Sequence, residues 1–134
     1  FKFLNKNWSM MVLMLQKELA KRIVSKEGSK EYGRISVMAQ IFCDISYMFD
    51  ISRNVFHPKP KIDSGILLFK RKKTSVDINK FSIFIKEAFK QRRKKLKNNL
   101  KNSCSAKLIE NHANKRPEEI SPKEYLNLFN KIYF

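Results

Sequence analysis

Two short stretches hold the residues whose types and spacing could do chemistry. The first is Phe56-His-Pro-Lys-Pro-Lys61, an aromatic ring followed by two prolines one lysine apart. Pro58 and Pro60 lack backbone donors and hold their predecessors extended, so this stretch is a stiff loop. A ring on a stiff loop can stack on a nucleobase without being ordered anew at each encounter. The same ring could plug the core at a strand end, and taken alone the residues favour that plug. The second stretch is Gln91-Arg-Arg-Lys-Lys95, preceded by Lys90 and followed by Lys97. Arginine forks onto phosphate oxygens and lysine adds point charge, so this density suits a phosphate backbone. Acidic residues are too sparse there for a face laced by salt bridges. Lys70-Arg-Lys-Lys73 could extend the basic track or be a solvated connector. Cys43 and Cys104 match no metal spacing, and His57 and His112 stand alone, so no metal site is expected.

The 134 residues carry 29 Lys+Arg against 12 Asp+Glu, a formal net charge of +17. Residues 68–134 hold 18 of the basic residues against 6 acidic ones, and residues 1–67 hold 11 against 6. A compact fold with this excess repels itself, which points to an anionic partner: nucleic acid, an anionic membrane surface or an acidic protein. A compositional bias toward Lys and Asn could raise the total but would not cluster it. The 43% of hydrophobic residues can build a packed core. No run approaches the roughly 18 apolar residues of a membrane span, and nothing resembles a signal peptide. A cytoplasmic monomer is expected. The chain opens on Phe1 within an apolar-basic pattern, which suggests a piece of a longer protein.

The elements that must position these residues differ between the two parts of the chain. In residues 1–72, Met11–Gln16 is a continuous apolar run, the pattern of a strand buried on both faces. Lys17–Val24 follows as a helix with Leu19, Ala20, Ile23 and Val24 on one side. A loop bracketed by Gly28 and Gly33 leads to a short helix over Ser36–Cys43, then to strands over Ile45–Ile51 and Gly65–Phe69 joined by the proline loop. Strands separated by helices predict the end of an α/β domain. Residues 73–134 predict a small all-helical unit. Asp77 is a candidate N-cap, and Phe81, Phe84, Ile85, Ala88, Phe89, Leu96 and Leu100 follow the spacing of one long helix, with Arg92 on the same track. On such a helix Arg93 and Lys97 form one ridge, and Lys90 and Lys94 another. Ser121-Pro-Lys-Glu124 combines a capping box with proline at the first helical position, and Tyr125, Leu128, Phe129 and Ile132 give the last helix its apolar face.

Three segments together resemble one family. They are Met14-Leu-Gln-Lys-Glu-Leu-Ala-Lys-Arg22 with Tyr32-Gly-Arg-Ile-Ser-Val37, then Phe56-His-Pro-Lys-Pro-Lys-Ile-Asp-Ser64, then Glu87-Ala-Phe-Lys-Gln-Arg-Arg-Lys-Lys-Leu-Lys-Asn-Asn-Leu100. The middle one fits F-x-P-x-P-x-V/I-x-S. In this order they resemble the C-terminal portion of the rRNA adenine N6,N6-dimethyltransferases that act on small-subunit rRNA, over nearly the whole chain.

The resemblance implies the last strands of a Rossmann-like class I methyltransferase domain (1–72) followed by a basic helical domain (73–134). It implies that Phe56 stacks on the target base, on a loop shaped by Pro58, Pro60 and Ser64. Lys70, Arg71, Lys90, Arg92, Arg93, Lys94 and Lys97 would contact rRNA of the immature small subunit. The whole enzyme would take its methyl group from S-adenosylmethionine. These residues include neither the family's glycine-rich donor loop, nor the acidic residue that holds the donor's ribose, nor its Asn-Leu-Pro-Tyr type motif. The chain alone is therefore expected to bind no donor and to be inactive. Two alternatives are the related large-subunit rRNA methyltransferases of macrolide resistance, and a non-catalytic RNA-binding module used in ribosome assembly.

Overall fold

The computed structural model describes residues 2–134. Strand β1 (Met10–Gln16) runs directly into helix α1 (Lys17–Val24), and helix α2 (Arg34–Phe42) runs directly into strand β2 (Cys43–Ile51). The loop after β2 returns as strand β3 (Ser64–Arg71). Helices α3 (Ile78–Ala88), α4 (Leu96–Leu100) and α5 (Pro122–Tyr133) follow, with short 3-10 turns between them. The sheet has the order β1-β3-β2, and both pairings are antiparallel. Chain order and spatial order differ because β3 inserts between the two earlier strands.

Burial along β1 alternates, which corrects the expectation of a strand covered on both faces. Met11, Leu13 and Leu15 turn toward the core, while Met10, Val12 and Met14 are more than half exposed. Two-sided burial needs a layer on each side of the sheet. Here the buried face is the one that carries Leu67 and Phe69, and the register sets Leu13 opposite Leu67 and Met11 opposite Phe69. The apolar run alone could not distinguish one covered face from two.

The single long helix expected over residues 78–100 is also corrected. It is two helices with a turn between them, and Asn99 bonds to one carbonyl at the end of α3 and one within the turn. Buried Asn99 donates from Nδ2 to the Ala88 carbonyl (2.7 Å) and to the Gln91 carbonyl (3.1 Å). The backbone N–H groups of Leu96 and Lys97 then donate to Lys115 O and Ala113 O instead of continuing α3. Helical periodicity survives the break, since Leu96 and Leu100 are fully buried alongside Phe81 and Ile85.

Side-chain caps fix the N-terminal ends of α3 and α5. The Asp77 carboxylate accepts from the Lys80 N–H (2.9 Å). At α5, the Ser121 hydroxyl accepts from the Glu124 N–H while the Glu124 carboxylate accepts from the Ser121 N–H. One continuous core runs through both parts of the chain. Tyr32, Phe42 and Phe69 from the first part share it with Phe81, Phe84, Tyr125 and Phe129 from the second. Phe42 meets Phe81 edge-on at 5.9 Å, and Phe81 meets Phe129 edge-on at 5.2 Å. Each such pair contributes about 0.5–1.5 kcal/mol beyond area burial.

Candidate nucleic-acid interface

The loop between β2 and β3 follows from the hairpin register. Ile51 pairs with Ser64, so the strands end together and residues 52–63 must close the gap. Arg53–Val55 form one 3-10 turn, capped by the Ser52 hydroxyl, which accepts from the Asn54 N–H (3.2 Å). Phe56 leaves that turn in extended geometry. Its ring is half-buried, yet it belongs neither to the core nor to the apolar side chains packed against the core. Pro58 and Pro60 are exposed within irregular backbone, and the His57–Pro58 peptide is cis. Ser64 is the first residue of β3.

The neck of this loop is polar and charged. The Arg53 N–H donates to Asp63 Oδ1 (2.9 Å), and Arg53 Nη1 donates to the Lys61 carbonyl (2.6 Å). Arg53 Nε lies 3.7 Å from the same Asp63 oxygen. The Lys17 N–H donates to the Asp63 carbonyl (3.0 Å), which joins the neck to the β1–α1 junction. Lys17 Nζ is 2.6 Å from Asp50 Oδ2, and the Tyr47 hydroxyl donates to the other oxygen of Asp50. The Lys17 hydrogen bond, then that of Tyr47, hold the Asp50 carboxyl below its usual value. The Asp50 hydrogen bond raises the Lys17 amine. Burial, then the Asp50 bond, push Tyr47 up to about 12. Gly65 lets this cluster close. A Cβ there would sit 2.5 Å from Tyr47 Oη and 2.9 Å from Ala20 Cβ.

The basic candidates separate into engaged and outward groups. Arg71 stacks over Trp8, with its guanidinium carbon 5.6 Å from the ring centroid. Arg92 donates from Nε to Glu118 (3.0 Å) and from Nη2 to the Lys30 carbonyl (2.6 Å), so it links the α3–α4 turn to the loop before α2. Arg92 therefore does not extend the apolar track of a helix, because it lies in the turn that Asn99 creates. Lys90 lies 3.9 Å from Glu87. Arg93, Lys94 and Lys97 are exposed and have no ion-pair partner among the described residues. The expected ridges spaced four apart are replaced by a turn, since residues 89–95 are not helical. Lys90, Gln91, Lys94, Asn98 and Lys101, together with the acidic Glu87, line a polar groove of about 330 Å3 beside it. Lys70 is exposed at the end of β3, in register with Asp44. The structure thus gathers Lys90, Lys94 and the flanking lysines around one turn, while Arg71 and Arg92 are engaged by partners within the chain, Arg92 at the surface.

Sequence reasoning missed Arg53, Asp63, Lys17 and Asn99. Arg53 and Asp63 face each other only once the strand register is known, and nothing in their spacing announces it. Asn98-Asn99 within a helical pattern was a weak signal, because Asn competes with the helix backbone for hydrogen bonds. Among the described residues, no three His, Cys, Asp or Glu side chains gather as a metal group would need, and no helix is long and apolar enough to cross a membrane.

Comparison with known proteins places this geometry. A family described as ribosomal RNA adenine dimethylase matches residues 1–133. A ribosomal RNA small subunit methyltransferase A from Flavobacterium johnsoniae is 47% identical over 124 residues, covering 89% of this chain and 48% of the relative. One of the same name from Malacoplasma penetrans is 40% identical, covering 95% of this chain and 50% of the relative. The chain thus spans about half the length of the curated relatives it matches. Among solved structures, a dimethyladenosine transferase from Plasmodium falciparum superposes with a TM-score of 0.86 at 22% identity, covering 97% of this chain and 61% of that one. A 23S rRNA methyltransferase, ErmE, gives 0.65 at 17% identity, covering 92% of this chain and 55% of that one. These two likenesses show the fold: an α/β arrangement with a small antiparallel sheet and helices. The family match over almost every residue and the level of identity to the bacterial relatives together mean that the chain belongs to the ribosomal RNA adenine dimethylase family.

Proposed function

We propose that these residues serve an S-adenosylmethionine-dependent rRNA (adenine-N6,N6)-dimethyltransferase acting on small-subunit rRNA, and that they supply its base-stacking loop and part of its RNA-binding surface. On this reading the three strands are the closing strands of a Rossmann-like sheet, and residues 73–134 are its basic helical unit. The protein works in the cytoplasm as a monomer on the immature small subunit. The names of the bacterial relatives favour the small-subunit substrate over a large-subunit one.

The observation that carries the proposal is the Phe56 ring, outside the core on a loop tied at its neck. Methylating the exocyclic amine of an adenine in a stacked helix requires that base to leave its stack. A ring on a stiff loop replaces the lost stacking, worth about 1–3 kcal/mol per base. The lysines and Arg93 around the α3–α4 turn hold the phosphate backbone and set its register. S-adenosylmethionine would supply the methyl group in the complete enzyme. The described residues do not fit that donor: the strand-to-helix junction at Gln16–Lys17 has no glycine, and Gly28, Gly33 and Gly65 all lie elsewhere. No step through the donor is therefore assigned to these residues.

The test is Phe56→Ala and Phe56→Tyr in a full-length enzyme carrying this segment. Phe56→Ala should lower catalytic efficiency roughly tenfold to a hundredfold, the loss of base stacking expressed as rate. Donor affinity should stay nearly constant, and Phe56→Tyr should keep most activity. If Phe56→Ala melts early yet turns over fully at low temperature, the ring belongs to the core and the proposal fails.

A further inference from the structure

We propose that Arg53 is a positioning residue for the Phe56 ring, an inference that rests on the base-stacking reading above. Residues 52–63 span the gap between two strands that end at the same register pair, Ile51 and Ser64. Left to itself, a span of that length holds many conformations. Arg53 divides it. Its backbone N–H takes Asp63 Oδ1 at 2.9 Å, and its guanidinium reaches past Asp63 to the Lys61 carbonyl at 2.6 Å. The same guanidinium faces Asp63 at 3.7 Å. The chain left free contracts to residues 54–60, which contain Phe56 and both prolines. The Arg53 carbonyl also accepts from the Phe56 N–H at 3.4 Å, so the clasp meets the ring's own backbone.

The clasp is anchored to the sheet side as well. Asp63 offers its carbonyl to the Lys17 N–H, and Lys17 holds Asp50 at the end of β2. Thus the neck is fixed against β1, α1 and β2, and the ring is offered in one orientation. Both Arg53 and Asp63 are partly exposed, and an exposed ion pair stabilises a fold little. The consequence of the arrangement is loop order, which acts on stacking rather than on melting temperature.

The experiment uses a full-length enzyme carrying this segment and a single-stranded, adenine-rich RNA carrying one fluorescent aminopurine. Hydrogen exchange is read over residues 54–61, together with melting temperature, aminopurine quenching at saturation and the salt dependence of binding. Arg53→Ala should speed exchange in that segment severalfold and lose most of the quenching, with little change in melting temperature. Arg53→Lys should behave like Arg53→Ala, since an ammonium cannot hold Asp63 and the Lys61 carbonyl in the same fork. Asp63→Asn keeps an acceptor for the Arg53 N–H and should retain most of the quenching.

Unchanged exchange in Arg53→Ala would overturn the clasp whatever the RNA does. So would full quenching in Arg53→Ala alongside lost quenching in Phe56→Ala, and base stacking by Phe56 would then stand. Arg53→Lys near the parent chain, with the salt slope of Arg53→Ala reduced by about 0.7, would assign Arg53 to a phosphate instead. Equal quenching by the parent chain and Phe56→Ala, or none by either, would overturn base stacking, and with it the positioning role.

Discussion

His112 shows how an isolated residue acquires a role from its surroundings. Its Nδ1 is buried without a hydrogen bond and lies 3.7 Å from a Glu124 oxygen. Burial lowers its pKa below 6.5, and Lys115 and Lys131 add to that against the pull of Glu124. Glu124 is engaged elsewhere: burial opposes its charge, but hydrogen bonds from the Ser121 backbone and hydroxyl and from Lys115 keep its pKa low. The folded chain therefore binds a proton at His112 less readily than the unfolded chain does. The stability tied to this group is whole above pH 6.5 and falls as pH drops from there through the depressed folded value. Melting temperature should decline over that window, and His112→Gln should flatten the decline. A melting temperature that rises on acidification would mean that a His112–Glu124 ion pair dominates instead. Phe56 is the opposite case at this scale, a large apolar side chain that the core does not use. Half-burying such a ring is worth about 1 kcal/mol, against about 3–5 kcal/mol for truncating a core Phe, so Phe56→Ala should melt only slightly below the parent chain.

At the scale of elements, the α3–α4 turn shows one side chain redirecting a helix. The spacing of Phe81, Phe84, Ile85, Ala88, Leu96 and Leu100 was legible because helical periodicity encodes burial, and every one of these residues is buried. The break was not legible, because it depends on Asn99 reaching back to Ala88 O and Gln91 O. Asn99→Leu would leave the Ala88 carbonyl without that donor, while the Gln91 carbonyl keeps the Lys94 N–H. It should cost about 1–3 kcal/mol, the range for a buried polar group left unpaired. A denaturant midpoint shift with an unchanged slope would check this. An unchanged midpoint would mean that the turn is set by the Leu96 and Lys97 backbone bonds alone. The β2–β3 loop carries the same lesson. The prolines marked it as irregular, but the Arg53–Asp63 neck came into view only with the strand register.

For the whole molecule, the charge and the shared core constrain function together. The net charge of +17 has no internal counterpart, and the outward cations cluster near the α3–α4 turn. If roughly five phosphates are neutralised, the log–log salt slope of RNA binding should be about −3.5 on single strands and about −4.5 on duplex. Filter binding or anisotropy across salt concentrations measures it, and a flat response would exclude the electrostatic account. The two parts of the chain differ in composition, yet among the described residues they share one core and three polar links. Tyr32 donates to Ile120 O (2.7 Å), Gly28 N–H to Glu118 O (2.7 Å), and Arg92 bridges Glu118 and Lys30. The basic α3–α4 turn and the sheet that carries the aromatic loop are therefore mechanically continuous.

By itself the sequence determined what local rules encode. Apolar spacing placed α1 and α5 with their buried faces, the caps at Asp77 and Ser121 came from residue type, and prolines marked the loop after β2. Its motifs also determined the family, because Phe56-x-Pro-x-Pro and Gln91-Arg-Arg-Lys are read without coordinates. Only the tertiary structure decided which face of β1 is covered, that β3 lies between β1 and β2, and where α3 stops. It also decided that Arg71 and Arg92 are spent on Trp8, Glu118 and Lys30 while Arg93, Lys94 and Lys97 point outward. The physical reason is range. A cap or a proline acts within a few residues, whereas a guanidinium finds its partner across as many as 62 positions of chain, which only the fold brings together.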